Sequence, residues 1–425
     1  MGIESCDVEK TAMELVMTDN VTEKRKLAKK IFDVAYEEGI YPSSIHEFYM
    51  ARGRGEFSGF TVPAINLRSM TYDLARAMFR VADKNGSGAF VFEIARSEIG
   101  YTNQPPIEYA SMVLAAAIKE NYSGPVFIQG DHFQVNAAKF KENPDKEIEA
   151  LQTLIGDAIS SGFYNIDIDS STLVDVSKSD LKEQQLLNYE VCARLTQFIR
   201  RVEPRGMTIS VGGEIGEIGH QNSTPEDLHA FMAGLEEKLK KGLAGTSKIS
   251  VQTGTTHGGL VLPDGSIAQI KLDFNTLKTL SEIARKEYGL AGAVQHGAST
   301  LPPEAFHKFV ECETAEVHLA TEFQNMIYES EHFPVHLKKK IYEWLAANAA
   351  NEAKQGETKE QFFYKTRKKA LGPFKKEIRS LPQKTRDAIA AEIENKFDFL
   401  FKQLNVVNKR TLVDKYKATS KPKAL

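Results

Sequence analysis

Three histidines of the chain stand at the ends of short apolar runs. His132 and His296 each lie at the end of such a run, and His257 follows a third one. Three neutral imidazoles that leave a fourth position open form a catalytic zinc arrangement, in which the ion acts as a Lewis acid. A single histidine at such a place is as readily a packed residue of the core or rim, but the coincidence of three favours a metal. We therefore predict a divalent cation, zinc, bound by His132, His257 and His296.

Other ionisable and polar side chains also collect at the ends of apolar runs: Asn66, Asp131, Asp167, Asp169, Glu214, His318 and Thr321. Burying such groups carries a desolvation penalty that metal coordination or catalysis can justify. Asp131, next to His132, is expected to act as an acid or base, or to orient the imidazole of a ligand. Glu214 is a further candidate because it ends its run, whereas Glu226 and Asp227 open a helix and interact with its dipole.

Glycines after two of the runs indicate a place for a phosphate. Gly258 follows His257, and Gly297 lies shortly before Ser299. Glycine lets the backbone approach an anion closely, and β/α barrels often hold phosphate on backbone N–H groups in this region. Ordinary turn formation is the alternative explanation of these glycines.

Eight apolar, β-branched runs alternate with helical patterns along the middle of the chain. The runs are Phe60–Asn66, Ala89–Glu93, Pro125–His132, Asn165–Ser170, Met207–Glu214, Ile249–Thr255, Gly292–Gly297 and Ala315–Thr321. The helical patterns are Tyr72–Ala82, Ile107–Glu120, Asp145–Ser161, Leu181–Arg201, Pro225–Lys240, Asn275–Tyr288 and Pro303–Cys312. Eight such units predict a closed (β/α)8 TIM barrel, which gathers the carboxyl ends of its strands at one face. A doubly wound sheet would show fewer strands and a GxGxxG turn, which the sequence lacks after its first run.

Helical patterns flank the predicted barrel on both sides. Residues 1–55 form a polar helical segment, residues 56–335 the barrel, and residues 336–425 a helical extension. The helices of the extension are Leu337–Ala353, Lys359–Ala370, Lys375–Ser380 and Thr385–Leu404.

The charge of the extension differs from that of the rest of the chain. It holds 22 Lys and Arg against 10 Asp and Glu, a net charge of +12, while the remainder carries −15. A basic helical segment of this kind lies against an acidic body or a neighbouring subunit, and we predict the neighbouring subunit. Nucleic-acid binding is disfavoured, because the lysines are spread over several helices without a recognition motif.

Composition and the N-terminus indicate a cytoplasmic protein. Hydrophobic residues make up 42% and charged residues 26% of the chain, as in globular proteins. The cysteines number three and form no CxxC pair, which suits a reducing compartment. We also expect no signal peptide and no membrane span, since no apolar run approaches the roughly 20 residues that a span requires.

Six motifs, in chain order, resemble those of the class II, zinc-dependent fructose- and tagatose-bisphosphate aldolases. They are Pro-Val-Phe-Ile-Gln-Gly-Asp-His, Asn-Ile-Asp-Ile-Asp-Ser-Ser, Gly-Gly-Glu-Ile-Gly-Glu-Ile-Gly, Gly-Thr-Thr-His-Gly, Gln-His-Gly-Ala-Ser-Thr-Leu-Pro and Val-His-Leu-Ala-Thr-Glu-Phe. The similarity spans Phe60 to Tyr328. That family is a dimeric or tetrameric barrel that reversibly condenses dihydroxyacetone phosphate with an aldehyde. The resemblance therefore implies a phosphorylated ketose as substrate and a homodimer or homotetramer.

The resemblance also implies a role for each matching residue. The three histidines would hold the zinc, which would polarise the ketose carbonyl, while Asp131 would exchange a proton with the aldol oxygen. Glu214 would be an alternative metal contact. The substrate phosphate, near a monovalent cation, would be surrounded by Gly258, Gly297, Ser299 and Thr321. Asn66, at the end of the first run, is predicted to contact the substrate as well.

The sequence departs from the family pattern at three places. The family's His-x-Asp-His begins here with Gln129, and its asparagine on the last strand, which contacts the enediolate, is replaced by His318. The loop after the fifth run reads His-Gln-Asn-Ser where the family carries an acid/base glutamate. We expect Glu217 to substitute for that glutamate, and we place His318 among the catalytic residues.

Two other functions fit parts of this pattern. Some tagatose-bisphosphate aldolases pair with a barrel-like, non-catalytic subunit of about this length, but a full set of histidine ligands argues against such a subunit. A metal-dependent sugar-phosphate epimerase or hydrolase would use similar ligands, and its products would distinguish it. The sequence favours the aldolase.

Overall fold

The computed structural model describes residues 7–216, 221–254, 262 and 272–416. Three residues of the predicted site, Glu217, His257 and Gly258, lie outside these ranges. The other predicted site residues are all described.

Eight parallel strands, β2 to β9, form a closed barrel surrounded by helices. The strands of the protein are β1 (Ile40–Ser43), β2 (Val62–Asn66), β3 (Val91–Ala95), β4 (Gly124–Gln134), β5 (Asn165–Asp169), β6 (Ser210–Glu214), β7 (Lys248–Val251), β8 (Ala293–Gln295) and β9 (Glu316–Leu319). Pairing of β2 with β9, and of β4 with β5, closes the barrel. The predicted (β/α)8 barrel is confirmed, and each predicted run overlaps one barrel strand. The strands are almost wholly buried, because parallel strands are covered on both faces.

Strand β1 lies outside this count of eight. It pairs in parallel with β4 at Gly124–Phe127, whereas β5 pairs with β4 only from Gln129 onward. The amide of Asn165 joins the two neighbours of β4, since its Nδ2 donates to Ser43 O at 3.2 Å and to Ile128 O at 3.0 Å. The N-terminal segment, predicted as helical, thus contains three helices and also this one short strand. So short a strand forms only because it pairs with β4, which is distant from it in the sequence.

Helices cover the barrel and both of its ends. Those before β6 are α1 (Val8–Met17), α2 (Val21–Glu37), α3 (His46–Gly53), α4 (Thr71–Lys84), α5 (Arg96–Thr102), α6 (Pro106–Lys119), α7 (Ala137–Glu142), α8 (Pro144–Ser160), α9 (Leu181–Gln184) and α10 (Leu186–Val202). The later ones are α11 (Pro225–Lys238), α12 (Phe274–Lys286), α13 (His307–Glu311), α14 (Thr321–Glu329), α15 (Val335–Asn348), α16 (Lys359–Thr366), α17 (Lys375–Arg379), α18 (Gln383–Gln403) and α19 (Arg410–Asp414). Short 3-10 helices occur at Ser171–Leu173, Ala298–Thr300, Pro303–Ala305, Ala350–Glu352 and Arg367–Ala370. Within the described ranges, no helix combines the length and the apolar character that crossing a membrane requires.

The C-terminal extension packs on the barrel of its own chain. Arg379 and Arg386 enclose the buried Asp73 of α4, with Arg379 Nη1 3.2 Å from one carboxylate oxygen and Arg386 Nε 3.1 Å from the other. Lys375 pairs with the buried Glu108 of α6 at 2.8 Å. These basic side chains find their acidic partners within one chain. The alternative of a contact with the acidic body is therefore found in the structure, and the predicted packing on a neighbouring subunit stays a prediction.

Candidate active site

A cavity of about 960 Å³ opens at the carboxyl ends of the barrel strands. Its deep end is lined by Glu93, Asp131, His132, His296 and His318, which come from strands on opposite sides of the barrel. Its outer wall includes residues of the C-terminal extension. The barrel thus gathers residues that lie far apart in the sequence, as the alternation of strands and helices predicts.

A β-bulge in β4 turns two consecutive side chains toward the cavity. In a regular strand Asp131 and His132 would face opposite sides of the sheet. The pairing of β4 with β5 shifts its register between Gly130 and Phe133, and His132 has a φ of 40°, in the left-handed region. Gly130 makes room for this bend, since a Cβ there would lie 2.5 Å from the Phe133 ring. The bulge re-aims His132 into the site, a common use of this irregularity.

The donor atoms of Asp131, His132 and His296 converge at the deep end of the cavity. They lie within 4.8 Å of one another, with His296 Nε2 3.3 Å from Asp131 Oδ1. Two imidazoles and a carboxylate are donors that a divalent transition-metal ion accepts, zinc among them. The predicted ligands His132 and His296 are therefore brought together, and the residues present fit a metal ion.

Two carboxylates lie behind His132, on the side away from His296. His132 Nδ1 is 3.0 Å from Asp169 Oδ2 and 3.2 Å from Glu214 Oε2. Burial opposes the charge on this imidazole, but Asp131 and Glu214 raise the pKa of His132 well above its ordinary value. Burial, together with Asp169, raises the pKa of Glu214 to about 7. Carboxylates in this position can fix the orientation of a ligating imidazole. His132, Asp169 and Glu214 also form a group whose donor atoms lie within 4.8 Å of one another, so the predicted metal contact of Glu214 stays a prediction.

His318 occupies the centre of the deep end. Its Nδ1 lies 3.2 Å from Asp131 Oδ1 and 3.1 Å from Glu93 Oε2. Burial would raise the pKa of Asp131, but His132 and His318 hold the pKa of this carboxyl well below its usual range. These neighbours therefore favour the carboxylate form of Asp131, and its role in proton exchange stays a prediction.

Four of the five predicted substrate-binding residues line the same cavity, and the fifth, Gly258, lies outside the described residues: the four are Asn66, Gly297, Ser299 and Thr321. Gly297 has a φ of 69° and begins the turn into the 3-10 helix Ala298–Thr300, which accounts for a glycine there. Ser299 Oγ accepts a hydrogen bond from the backbone N–H of Ala320 at 2.7 Å. Asn66 Nδ2 donates to Glu98 at 2.5 Å.

Sequence reasoning missed the cations of the cavity wall. Arg68 donates to Glu98 at 2.7 Å and lies 3.4 Å from Thr321 Oγ1, one of the predicted phosphate contacts. Lys354 and Lys368 of the extension line the same wall. Burial and the nearby Arg68 lower the pKa of Lys368, as expected where two cations share one carboxylate, Glu98. The net charge of +12 on the extension indicated that it could provide cations, but the sequence did not show which of its lysines reach the cavity.

The cavity is therefore electrically asymmetric. Imidazoles and carboxylates that could hold a metal occupy its deep end, and an arginine with lysines from the extension occupies its wall. A (β/α)8-barrel protein with metal donors at the carboxyl ends of its strands is the class that this fold and site define.

The family model of the class II fructose-bisphosphate aldolases matches residues 54–404, and the chain belongs to this family. The match covers the barrel and most of the C-terminal extension. The resemblance seen in the sequence motifs is thereby confirmed.

Three solved structures share the fold. The fructose-bisphosphate aldolase of Campylobacter jejuni is 18% identical, with a TM-score of 0.50, covering 87% of this chain and 97% of that one. A probable tagatose 6 phosphate kinase of Sinorhizobium meliloti is 15% identical, with a TM-score of 0.56 and coverages of 83% and 99%. The fructuronate-tagaturonate epimerase of Cohnella laeviribosi is 10% identical, with a TM-score of 0.54 and coverages of 92% and 86%. At these identities the likeness shows the fold alone. No curated protein matches the sequence.

Proposed function

We propose that the protein is a metal-dependent aldolase that reversibly cleaves a phosphorylated ketose into dihydroxyacetone phosphate and an aldehyde. Membership of the class II fructose-bisphosphate aldolase family supports the reaction type. The observation that carries the proposal is the distribution of charge in the cavity. Groups that could hold a metal lie at its deep end, and cations lie on its wall. A phosphorylated ketose has the matching pair of features, a carbonyl with neighbouring hydroxyls and an anionic end.

The proposed metal is zinc, held by His132 and His296 with His257 as the predicted third ligand. The ion would supply Lewis-acid polarisation of the ketose carbonyl, which makes a Schiff-base lysine unnecessary. Asp169 and Glu214 would hold the His132 ring in the ligating orientation through its Nδ1.

Asp131 is the proposed base in the cleavage direction. Breaking the carbon–carbon bond requires the hydroxyl on the departing aldehyde carbon to lose its proton. Asp131 is buried, ionised and directed into the cavity beside both described imidazole ligands. In the condensation direction the same carboxyl would return that proton.

The proposed phosphate contacts lie on the wall of the cavity. Arg68 and Lys368 provide positive charge next to Thr321, and the turn at Gly297 offers backbone N–H groups. Charge-assisted hydrogen bonds from such groups bind phosphate strongly and orient the substrate.

The test is an assay of the purified, zinc-loaded protein with fructose-1,6-bisphosphate and with tagatose-1,6-bisphosphate, followed by phosphorus NMR. We expect release of triose phosphates that a chelator stops and added zinc restores. Formation of an epimeric bisphosphate would show that the protein is an epimerase instead. Release of inorganic phosphate would show that it is a hydrolase. Bound zinc without any turnover of phosphorylated ketoses would contradict the proposal, and a protein that neither binds zinc nor cleaves them would favour the non-catalytic partner subunit.

Replacing Lys368 by methionine is expected to raise KM for the phosphorylated ketose roughly 5- to 10-fold and to leave kcat within about twofold. The reason is that Lys368 provides binding charge at the wall, away from the reacting bond, and a partly exposed charge contributes modestly. Steady-state kinetics at two salt concentrations measure the effect, which salt should weaken.

Lys359→Met is the matched control for this change. Lys359 is exposed at the start of α16 and does not line the cavity. An equal rise of KM in both variants would show that the net charge of the extension, and not Lys368 itself, controls binding.

A further inference from the structure

A lysine is buried inside the barrel, beneath the cavity. Lys248 of β7 is 1% exposed, although lysine side chains are rarely buried unless they are paired. Its Nζ donates to Gln129 Oε1 at 2.7 Å, to Asp167 Oδ2 at 2.9 Å and to Glu316 Oε2 at 2.5 Å. These three bonds use every donor of the ammonium group. Burial opposes the charge, but Asp167 and Glu316 raise the pKa of Lys248, so it remains an ammonium ion.

The neighbouring strand β6 leaves space for this ion pair. Gly212 faces it, and a Cβ at that position would lie 2.3 Å from Asp167 Oδ1 and 3.1 Å from Lys248 Cε. Ordinary barrel interiors are filled by branched apolar side chains. Buried ion pairs are often no more stable than apolar residues of similar volume, so stability alone gives little reason for this arrangement.

Glu316 connects Lys248 to the cavity. Its Oε2 accepts from His318 Nε2 at 2.8 Å and from Lys248, while its other oxygen accepts from the hydroxyl of Tyr49. The opposite nitrogen of the same imidazole, His318 Nδ1, lies 3.2 Å from Asp131 Oδ1. An unbroken chain of contacts therefore runs from Lys248 through Glu316 and His318 to Asp131.

Gln129 provides a second branch of the same network. Its Nε2 donates to Glu93 at 3.1 Å and to Glu316 at 3.2 Å, while its Oε1 accepts from Lys248. A primary amide has both an acceptor and two N–H donors, which suits a position between an ammonium and two carboxyl groups. This accounts for Gln129 where the resembling aldolases have a histidine.

We propose that Lys248 is a positioning residue, which acts through Glu316 to hold the His318 imidazole against Asp131. The inference rests on the proposed function, since Asp131 is the base of that reaction. Without the ammonium, the buried carboxylates of Glu316 and Asp167 would be left with His318 as the cation near both, with its Nε2 2.8 Å from Glu316 and 3.9 Å from Asp167. Two buried carboxylates compensated so incompletely favour uptake of a proton, which would weaken Glu316 as an acceptor. His318 would then lose the bond that sets the direction of its ring.

Lys248→Met is expected to lower kcat about 10- to 100-fold, at the low end of what a positioned acid or base contributes, with KM within about twofold. Zinc content should stay unchanged, because the hydrogen bonds of Lys248 go to Gln129, Asp167 and Glu316 and to neither of the described ligands, His132 and His296. Arg52→Met is the matched control: Arg52 is also a fully buried cation, but it binds Glu313 and the backbone of Phe60 instead. A loss of thermal stability in both variants with kcat unchanged in Lys248→Met would overturn the proposal.

The double variant Lys248→Met/Glu316→Gln tests the route through Glu316. We expect the kcat of the double variant to lie within about twofold of that of the less active single variant. The reason is that both changes break the same chain of contacts. Losses of kcat that multiply would show that Lys248 does not act through Glu316. The double variant removes one positive and one negative charge, so it leaves no unpaired charge from this pair. It can therefore be assayed if the single variant Lys248→Met does not fold.

Nitrogen-15 NMR of histidine-labelled protein gives a readout that needs neither substrate nor turnover. The hydrogen-bonded Nε2–H of His318, assigned by its absence in His318→Gln, should be present in the wild type and in Arg52→Met. It should be lost or shifted in Lys248→Met and Glu316→Gln. An unchanged resonance in Lys248→Met would overturn the inference. A lost resonance in a protein that cleaves no phosphorylated ketose would overturn the proposed function and still support positioning by Lys248.

Discussion

Replacing His296 by alanine is expected to abolish stoichiometric zinc binding and to reduce ketose cleavage by at least about 10³-fold. His296 is one of the two predicted imidazole ligands that the structure describes, with its Nε2 3.3 Å from Asp131. Lewis-acid stabilisation is worth several kcal/mol, and each ~1.4 kcal/mol corresponds to a tenfold change in rate. Elemental analysis and the cleavage assay, performed on the same preparation, measure the two losses together.

His307→Ala is the control for this change. His307 is exposed on α13, where it pairs with Glu311 at 3.5 Å, and it does not line the cavity. Its zinc content and activity should match those of the wild type. Full zinc content in His296→Ala would show that His296 is not a ligand, and the metal centre would have to be sought among other donors.

Asp131→Asn is expected to lower kcat about 10²- to 10⁴-fold while zinc remains bound, because the change removes a general base and keeps the shape of the side chain. Asp131 is held ionised by His132 and His318, and asparagine cannot accept a proton at this position. Rapid-mixing kinetics under saturating substrate, together with zinc analysis, measure the two properties separately. KM should change little, since substrate binding depends on the wall of the cavity.

The zinc content of Asp131→Asn distinguishes between two roles of Asp131, a base and a metal ligand. Its carboxylate lies close enough to both described imidazoles to be a ligand itself. Simultaneous loss of zinc and activity would therefore identify a ligand and contradict its role as the base. Asp157→Asn, at an exposed position on α8, controls for the loss of one negative charge.

The residues of the candidate site were largely predictable because they stand at strand ends. Alternation of apolar runs with helical patterns implies a parallel barrel, and a barrel gathers the carboxyl ends of its strands. Asn66, Asp131, His296 and His318 could thus be grouped before their distances were known, and all of them line one cavity. For Glu217, His257 and Gly258, which lie outside the described residues, the sequence prediction stands as it was made.

The residues that were missed depend on contacts between distant parts of the chain. Lys248 reads as an ordinary lysine at the start of a strand, and only the closed barrel places Asp167 and Glu316 around its ammonium. Lys368 is one of 22 Lys and Arg in a helical extension, and nothing local distinguishes it from those that remain in solvent. Its selection depends on how α16 and the following 3-10 helix dock beside Arg68.

By itself, the sequence determined the order of the elements, the closed barrel and the residue types at its carboxyl ends, because hydrophobic period and turn chemistry act locally. The tertiary structure alone decided three further properties. The bulge at His132 depends on pairing with β5, the buried charge network depends on closure of the barrel, and the cationic wall depends on packing of the extension. Each arises from contacts between segments distant in sequence, where geometry and electrostatics, and not local propensity, set the outcome.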